Sequence, residues 1–287
     1  MLDIDPLREG VPPRAAATVI LLRDRPLRDD VGALEDFLVR RTKSAAFMGG
    51  AYVFPGGKVD SADSDPALVA RLGEFTSEDA RLALAEDLEP EAALACFVAA
   101  IRETFEESGV LFAKHAARFD LNDGRARLAS GASFGALVDE LDLSLEPRAL
   151  IPFARWVTPS VERRRFDARF FVAVAPPDMS ARHDDAETIT SCWKTPHDAI
   201  AEHADKTIDL PPPTLRTLEE LAHFERASDV LALARSRRPP LVQPVFRDLG
   251  DGVWILALPG DPEHPEREAC VPGPTRFTLR DGHFVSG

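Results

Sequence analysis

The stretch Arg102-Glu103-Thr104-Phe105-Glu106-Glu107-Ser108-Gly109-Val110 decides how this chain is read. Its three glutamates stand at i, i+3 and i+4, so on a helix their carboxylates share one face. Hard divalent cations take several oxygen ligands, and Mg²⁺ is usually held by carboxylates together with substrate phosphates. A solvated acidic face is the competing reading. Like charges at this spacing cost only about 0.2–0.5 kcal/mol when exposed, so the triplet by itself decides nothing.

The flanking residues shift the balance. Arg102 precedes the triplet and can pair with Glu106 four residues on. Leu94, Phe97, Val98, Ile101 and Phe105 recur at helical spacing between Pro90, suited to a first turn, and Gly109, suited to a stop. Upstream, Tyr52-Val53-Phe54 reads as a strand ended by Pro55-Gly56-Gly57, where glycine permits a tight turn. Asp60 and Asp63 follow. A glycine loop that bares its carbonyls, feeding a helix that projects three carboxylates, forms a cradle for metal and diphosphate.

Further out, residues 15–22 and 37–41 read as strands, as do 150–158, 166–175 and 188–193. Ser77 with Asp79 marks a helix start, and helices are expected over 134–141, 196–203 and 215–235. Pro211-Pro212-Pro213 marks a boundary, and Asp251-Gly252 and Asp281-Gly282 are turn signals in the tail. Strands interrupted by helices indicate an α+β fold or an α/β/α sandwich.

Composition sets the outer limits. The 287 residues suffice for one substantial core with an appendage, and 45% hydrophobic with 29% charged residues is ordinary for a globular protein. A formal net charge of −14 argues against broad nucleic-acid binding but leaves room for a small anionic substrate met by cations. No apolar run approaches a membrane span, and residues 1–14 lack the basic and apolar regions of a signal peptide. Cys96, Cys192 and Cys270 are far apart without metal-ligand spacing, which reads as reduced thiols in a cytoplasmic protein.

The motif resembles the box of the Nudix hydrolases, G-x5-E-x7-R-E-U-x-E-E-x-G-U with U bulky and aliphatic. Gly57 is the opening glycine, and Asp63 stands where the first glutamate is expected. Arg102, Glu103, Glu106, Glu107, Gly109 and Val110 match the second half. Thr104 replaces an aliphatic residue, and residues 64–101 number 38 where the pattern has 7. A branch resembling the peroxisomal acyl-CoA diphosphatases of animals carries such an insertion. Its flanking features are also present, from Phe47 through Gly57 and from Arg164 through Phe171. The expected fold is therefore a Nudix α/β/α sandwich with a mixed sheet over residues 14–210. Residues 64–101 are expected as a helical insertion, and 211–287 as a helical and β-hairpin extension packed on the core.

The resemblance implies roles residue by residue. Glu106, Glu107 and the main-chain carbonyl of Gly56 would ligate Mg²⁺ or Mn²⁺. Glu103 would be a ligand or the base for the attacking water, and Arg102 would orient the glutamates. Nudix enzymes often add an acid from a later loop, for which Glu187 is suitably placed, with Asp184 and Asp185 competing and a surface role equally open. Arg40, Arg41, Lys43, Arg165 and Arg169 are candidates for substrate phosphates. Trp156, Phe166 and Phe170 read as core. The expected activity is hydrolysis of the diphosphate of CoA or acyl-CoA. Other nucleoside diphosphates, such as ADP-ribose, and a non-catalytic nucleotide-binding module are the alternatives. The tail either packs on the core or serves a dimer interface.

Overall fold

The computed structural model describes residues 11–25, 33–42, 49–114, 120–177 and 188–287. In chain order, the main strands are β1 (Arg14–Arg25), β2 (Ala33–Arg41), β3 (Tyr52–Val53) and β4 (Gly56–Lys58). Then come α1 (Pro66–Val69), α2 (Ser77–Leu84) and α3 (Pro90–Ser108). The short pair β5 (Ala113–Lys114) and β6 (Ser144–Leu145) brackets α4 (Leu121–Ala129) and α5 (Phe134–Glu140). β7 (Ile151–Val157), β8 (Phe166–Val174) and β9 (Thr188–Lys194) return to the sheet. The chain ends in α6 (Pro196–Ala204), α7 (Pro212–Leu221), α8 (Ala227–Ser236) and strands β10 (Leu241–Val242), β11 (Val245–Asp248), β12 (Trp254–Ala257), β13 (Arg276–Arg280) and β14 (His283–Ser286).

The central sheet runs β10-β7-β8-β1-β2-β3, with β4 on β1 and β9 on β2. It is mixed: β1 lies parallel to β8 and β10 to β7, and the other pairings are antiparallel. Alternation along β1 sends Ala17, Val19 and Leu21 to one face and Ile20 and Leu22 to the other. The first face packs on α3, the second on α6, α7, α8 and the four-stranded sheet β11-β12-β13-β14. This is the expected sandwich of helices on both faces of a mixed sheet.

The expected insertion, residues 64–101, has two parts in space. Its first part is the short elements α1 and α2, the latter started by Thr76, which exchanges cap hydrogen bonds with Asp79. Residues 90–101 are instead the first half of α3, and Ala93 through Ile101 are all buried. Pro90 at N1 starts a helix that runs without interruption into the glutamate turn, so this half belongs to the core and is not extruded. Gly109 ends α3 at φ 76°, as a C-terminal glycine does. The helix expected over 215–235 is two helices, α7 and α8, separated at residues 222–226. Asp281-Gly282 links β13 to β14 with both residues at positive φ, the geometry a two-residue hairpin requires.

A carboxylate turn at the mouth of a large cavity

Strand β4 and the last turns of α3 meet edge on. Gly56 pairs with Thr18 and Gly57 with Ala17. Neither glycine has a positive φ, so tight turning is not why they are needed. A Cβ on Gly56 would lie 2.4 Å from the Ala17 carbonyl oxygen, and one on Gly57 would lie 2.4 Å from the Glu103 carboxylate. The glycines are required by close approach, first of backbone to backbone and then of backbone to carboxylate. The Gly56 N–H also donates to Glu107 Oε2 at 2.9 Å.

Arg102 organises the other side. Its Nε and Nη2 donate to the two carboxylate oxygens of Asp63 at 2.8 and 2.9 Å, and Nη2 also donates to the Lys58 carbonyl at 3.0 Å. Its Nη1 reaches Glu103 Oε1 at 2.7 Å and Glu106 Oε2 at 3.4 Å. Asp63 is 1% exposed and is itself held by the Asp60 N–H. Burial works against the charge on Arg102, but the Asp63 hydrogen bonds and the charges of Glu103 and Glu106 outweigh it. Its guanidinium is therefore held above the ordinary arginine value. One buried cation thus fixes two glutamates, while the Gly56 amide fixes the third.

These groups line one end of a cavity of about 860 Å³. Its floor is the sheet face that carries Thr18, Ala168 and Phe170, with Trp156 alongside. Its cover comes from Pro211 to Thr214, Pro244 and Leu256. Three carboxylates beside a main-chain loop are a set of hard oxygen donors, and the missing Cβ of Gly57 leaves the Glu103 carboxylate its room. A hard divalent cation fits this donor set. A second group, His203 with Asp209 and His283, also gathers donor atoms. There the main-chain N–H of Leu210 donates to His203 Nδ1, and Nε2 faces the Phe284 carbonyl at 2.8 Å. Both ring nitrogens of His203 are thus engaged within the protein, and the cluster is a joint between α6 and the tail.

Of the cations expected at substrate phosphates, Arg41 lines the cavity. Arg40 donates to the Gly50 carbonyl and stacks over Tyr52. The structure does not bring Arg165 or Arg169 to the cavity. Arg165 holds the carbonyls of Thr158 and Val11. Arg169 lies on the α3 face of β8, buried in ion pairs with Glu86 and Asp167, because strand alternation puts it opposite Ala168 and Phe170. Glu187, Asp184, Asp185 and Lys43 lie outside the described residues.

Sequence reasoning passed over Arg125, which lines the cavity from α4 and donates to the Glu106 carbonyl at 3.2 and 2.9 Å. It also passed over Glu162, 3% exposed in the β7–β8 loop and part of the lining. Trp156, Phe166 and Phe170, expected as core, line the cavity as well. A strand residue facing a cavity has the same sequence signal as one facing a packed helix.

Comparison with known proteins gives a consistent picture. A family model described as the NUDT19 Nudix domain matches residues 70–221, just over half of the chain. The acyl-coenzyme A diphosphatase NUDT19 of Gallus gallus is 28% identical over 328 residues, covering 95% of this chain and 85% of that protein. The Homo sapiens protein of the same name is 27% identical over 271 residues, covering 78% of this chain and 70% of its own. Among solved structures, a NUDIX hydrolase from Alicyclobacillus acidocaldarius superimposes with a TM-score of 0.62 at 26% identity, over 77% of this chain and 96% of that one.

Proposed function

The chain belongs to the Nudix hydrolase family, in the group described by the NUDT19 Nudix domain, and from that premise we propose that it cleaves the diphosphate of CoA or acyl-CoA to 3′,5′-ADP and (acyl-)phosphopantetheine. Relatives named acyl-coenzyme A diphosphatase support the substrate class. The observation that carries the chemistry is the carboxylate turn of α3 opening into a cavity whose volume, about 860 Å³, exceeds what a diphosphate fills.

In this reading residues 14–210 are the catalytic unit and 211–287 an extension that completes the substrate cavity. Nudix hydrolases generally use divalent metals, and Glu106, Glu107 and the Gly56 carbonyl would hold Mg²⁺ or Mn²⁺ here. Such ions neutralise the diphosphate and make water acidic enough to attack at neutral pH. Glu103 serves as a further ligand or as the base that takes the proton of the attacking water. Arg102, immobilised by Asp63, decides where the Glu103 carboxylate stands, and the Gly56 N–H does the same for Glu107. The water oxygen bonds to one phosphorus as the bridging oxygen leaves with the other phosphate. Arg41, Lys58 and Arg125 are cations of the lining that could meet substrate phosphates.

Cys96, Cys192 and Cys270 are free thiols, and burial pushes Cys96 and Cys192 up to about 11. Three unpaired thiols fit the reducing, cytoplasmic setting read from the sequence. Among the described residues, no helix is long and apolar enough to cross a membrane.

The test is a panel of CoA, acyl-CoA, ADP-ribose and dinucleotides, incubated with Mg²⁺ or Mn²⁺ and read by product mass. Release of 3′,5′-ADP from CoA is expected. AMP from ADP-ribose with intact CoA would overturn the substrate while keeping the reaction class.

A further inference from the structure

The cavity has two ends of different chemistry. Near the glutamates, the lining includes Lys58, Arg102 and Arg125, and Arg41 borders the strand that leads into Gly56. Farther along, the wall is Trp156, Phe166 and Phe170 from the sheet, with Pro244 and Leu256 from the layer that covers it. Trp156 stands in register with Ala168, Ala168 with Ala16 and Ala16 with Lys58, so it lies three strands from the loop that meets the glutamates, and Val242, two residues before Pro244, pairs with Trp156. Pro211–Thr214 cover the stretch from β3 onward, since the Tyr52 N–H donates to the Asp209 carbonyl at 2.8 Å. Among the described residues, that second part of the lining holds no lysine or arginine, and its ionisable member is Glu162.

Charge then sorts the two halves of a split substrate. A nucleoside bearing its own phosphate would enter the apolar end as a desolvated anion without a cation to meet it, which is strongly unfavourable. A neutral arm of methyl, methylene and amide groups loses little there and gains apolar burial. The polar feature on the cover suits such an arm. Thr214 is 3% exposed, lines the cavity and follows two prolines at the start of α7. Pro212 and Pro213 lack N–H groups, so the Thr214 N–H is the first that α7 presents, beside its own hydroxyl. Both can donate to an amide carbonyl.

We propose that the layer formed by residues 211–287 is a specificity element that seats the uncharged, amide-bearing arm of the substrate between Trp156 and Leu256, while the phosphorylated nucleoside lies at the cation-lined end. This rests on the CoA reading above and deepens it. The cavity volume agrees, since about 860 Å³ lies in the upper range of pockets that enclose whole small molecules. The tail is thereby part of the substrate site, in addition to covering the sheet.

Trp156 is a built-in reporter, because Trp193 and Trp254 are not part of the lining. CoA cleavage is measured first; its absence would remove the CoA reading and this assignment together. The full-length W193F/W254F chain is then titrated, with Mg²⁺ present, with phosphopantetheine and separately with 3′,5′-ADP, each up to concentrations that inhibit CoA cleavage. Phosphopantetheine is expected to shift Trp156 emission, and 3′,5′-ADP to leave it in place. The reverse result, an equal response to both, or silence to both would overturn the assignment while leaving the CoA reading intact. Should the double variant not fold, hydrogen exchange on the unmodified chain reports the same contrast. Phosphopantetheine should then protect residues 158–165 and 209–216, and protection of these by 3′,5′-ADP instead would overturn the proposal.

Discussion

Arg102 closes on Asp63 with two parallel hydrogen bonds of 2.8 and 2.9 Å, across 39 residues of sequence. The pair is buried on both sides, and the same guanidinium holds Glu103 and Glu106. Replacing Asp63 by alanine leaves that cation without its main partner. Breaking one side of a buried pair costs about 3–5 kcal/mol, so a large drop in melting temperature is expected. Activity should fall through kcat more than KM, because the glutamates lose their anchor and the substrate wall is untouched. An unchanged Tm would show that the pair contributes little.

The two glycines should respond differently to the same substitution. In Gly56→Ala the new methyl meets the Ala17 carbonyl oxygen and the Thr18 Cα, which are backbone and cannot yield without moving β1. Overpacking of that kind costs about 1–3 kcal/mol or more. In Gly57→Ala the methyl meets the end of the Glu103 side chain, which can swing away. The expected result is near-native thermal stability with hydrolysis reduced on the order of 10²-fold, the scale of a roughly 1 Å misplacement. Melting curves and steady-state rates on both variants check this.

Glu107→Gln keeps an oxygen to accept the Gly56 N–H and removes the charge. Stability should hold, whereas hydrolysis should fall by about 10²–10³-fold, as for loss of one preorganised electrostatic group. Calorimetric titration with Mn²⁺ should show weaker binding in parallel. Full metal-dependent activity in this variant would remove Glu107 from the site.

Asp36 is fully buried in β2, and its carboxylate finds no hydrogen-bond partner beyond its own backbone. Burial, and far behind it the neighbouring Glu35, raises its pKa well above the ordinary 3.8, against opposing contributions from its own backbone N–H and, after that, Lys194. The folded value therefore lies above the unfolded one. The stabilising share of this proton is complete below pH 3.8 and is lost as pH rises through the raised folded value. Asp36→Asn should flatten that part of the stability curve. The check is a set of thermal melts across this range, in which the gap between the two proteins should grow with pH in favour of the variant. A constant gap would mean that Asp36 does not titrate there.

Much of this protein is written locally. Apolar spacing from Leu94 to Phe105, Pro90 at one end and Gly109 at the other delimit α3 almost to the residue, since helix period and capping act within a few positions. The same period puts Glu103, Glu106 and Glu107 on one face before any fold is known. Apolar runs, in β8 rich in Phe and Val, located β7 and β8 nearly as well, and Asp281-Gly282 marked its hairpin. Arg125 was not legible, because α4 is short, polar and without a strong period, and its guanidinium matters only through the distant Glu106 carbonyl.

Sequence by itself determined which residues could carry hydrolytic chemistry and the helix that displays them, because helical period and capping are short-range. Tertiary structure alone decided that Asp63 is the partner of Arg102 and that Gly57 is a glycine for Glu103. It also decided that Arg169 turns away from the cavity while Trp156 and Phe170 face into it. These depend on which strand lies beside which and in what register, and on a cover supplied from beyond residue 210. Such contacts arise from chain closure over tens to hundreds of residues, and no local period encodes them.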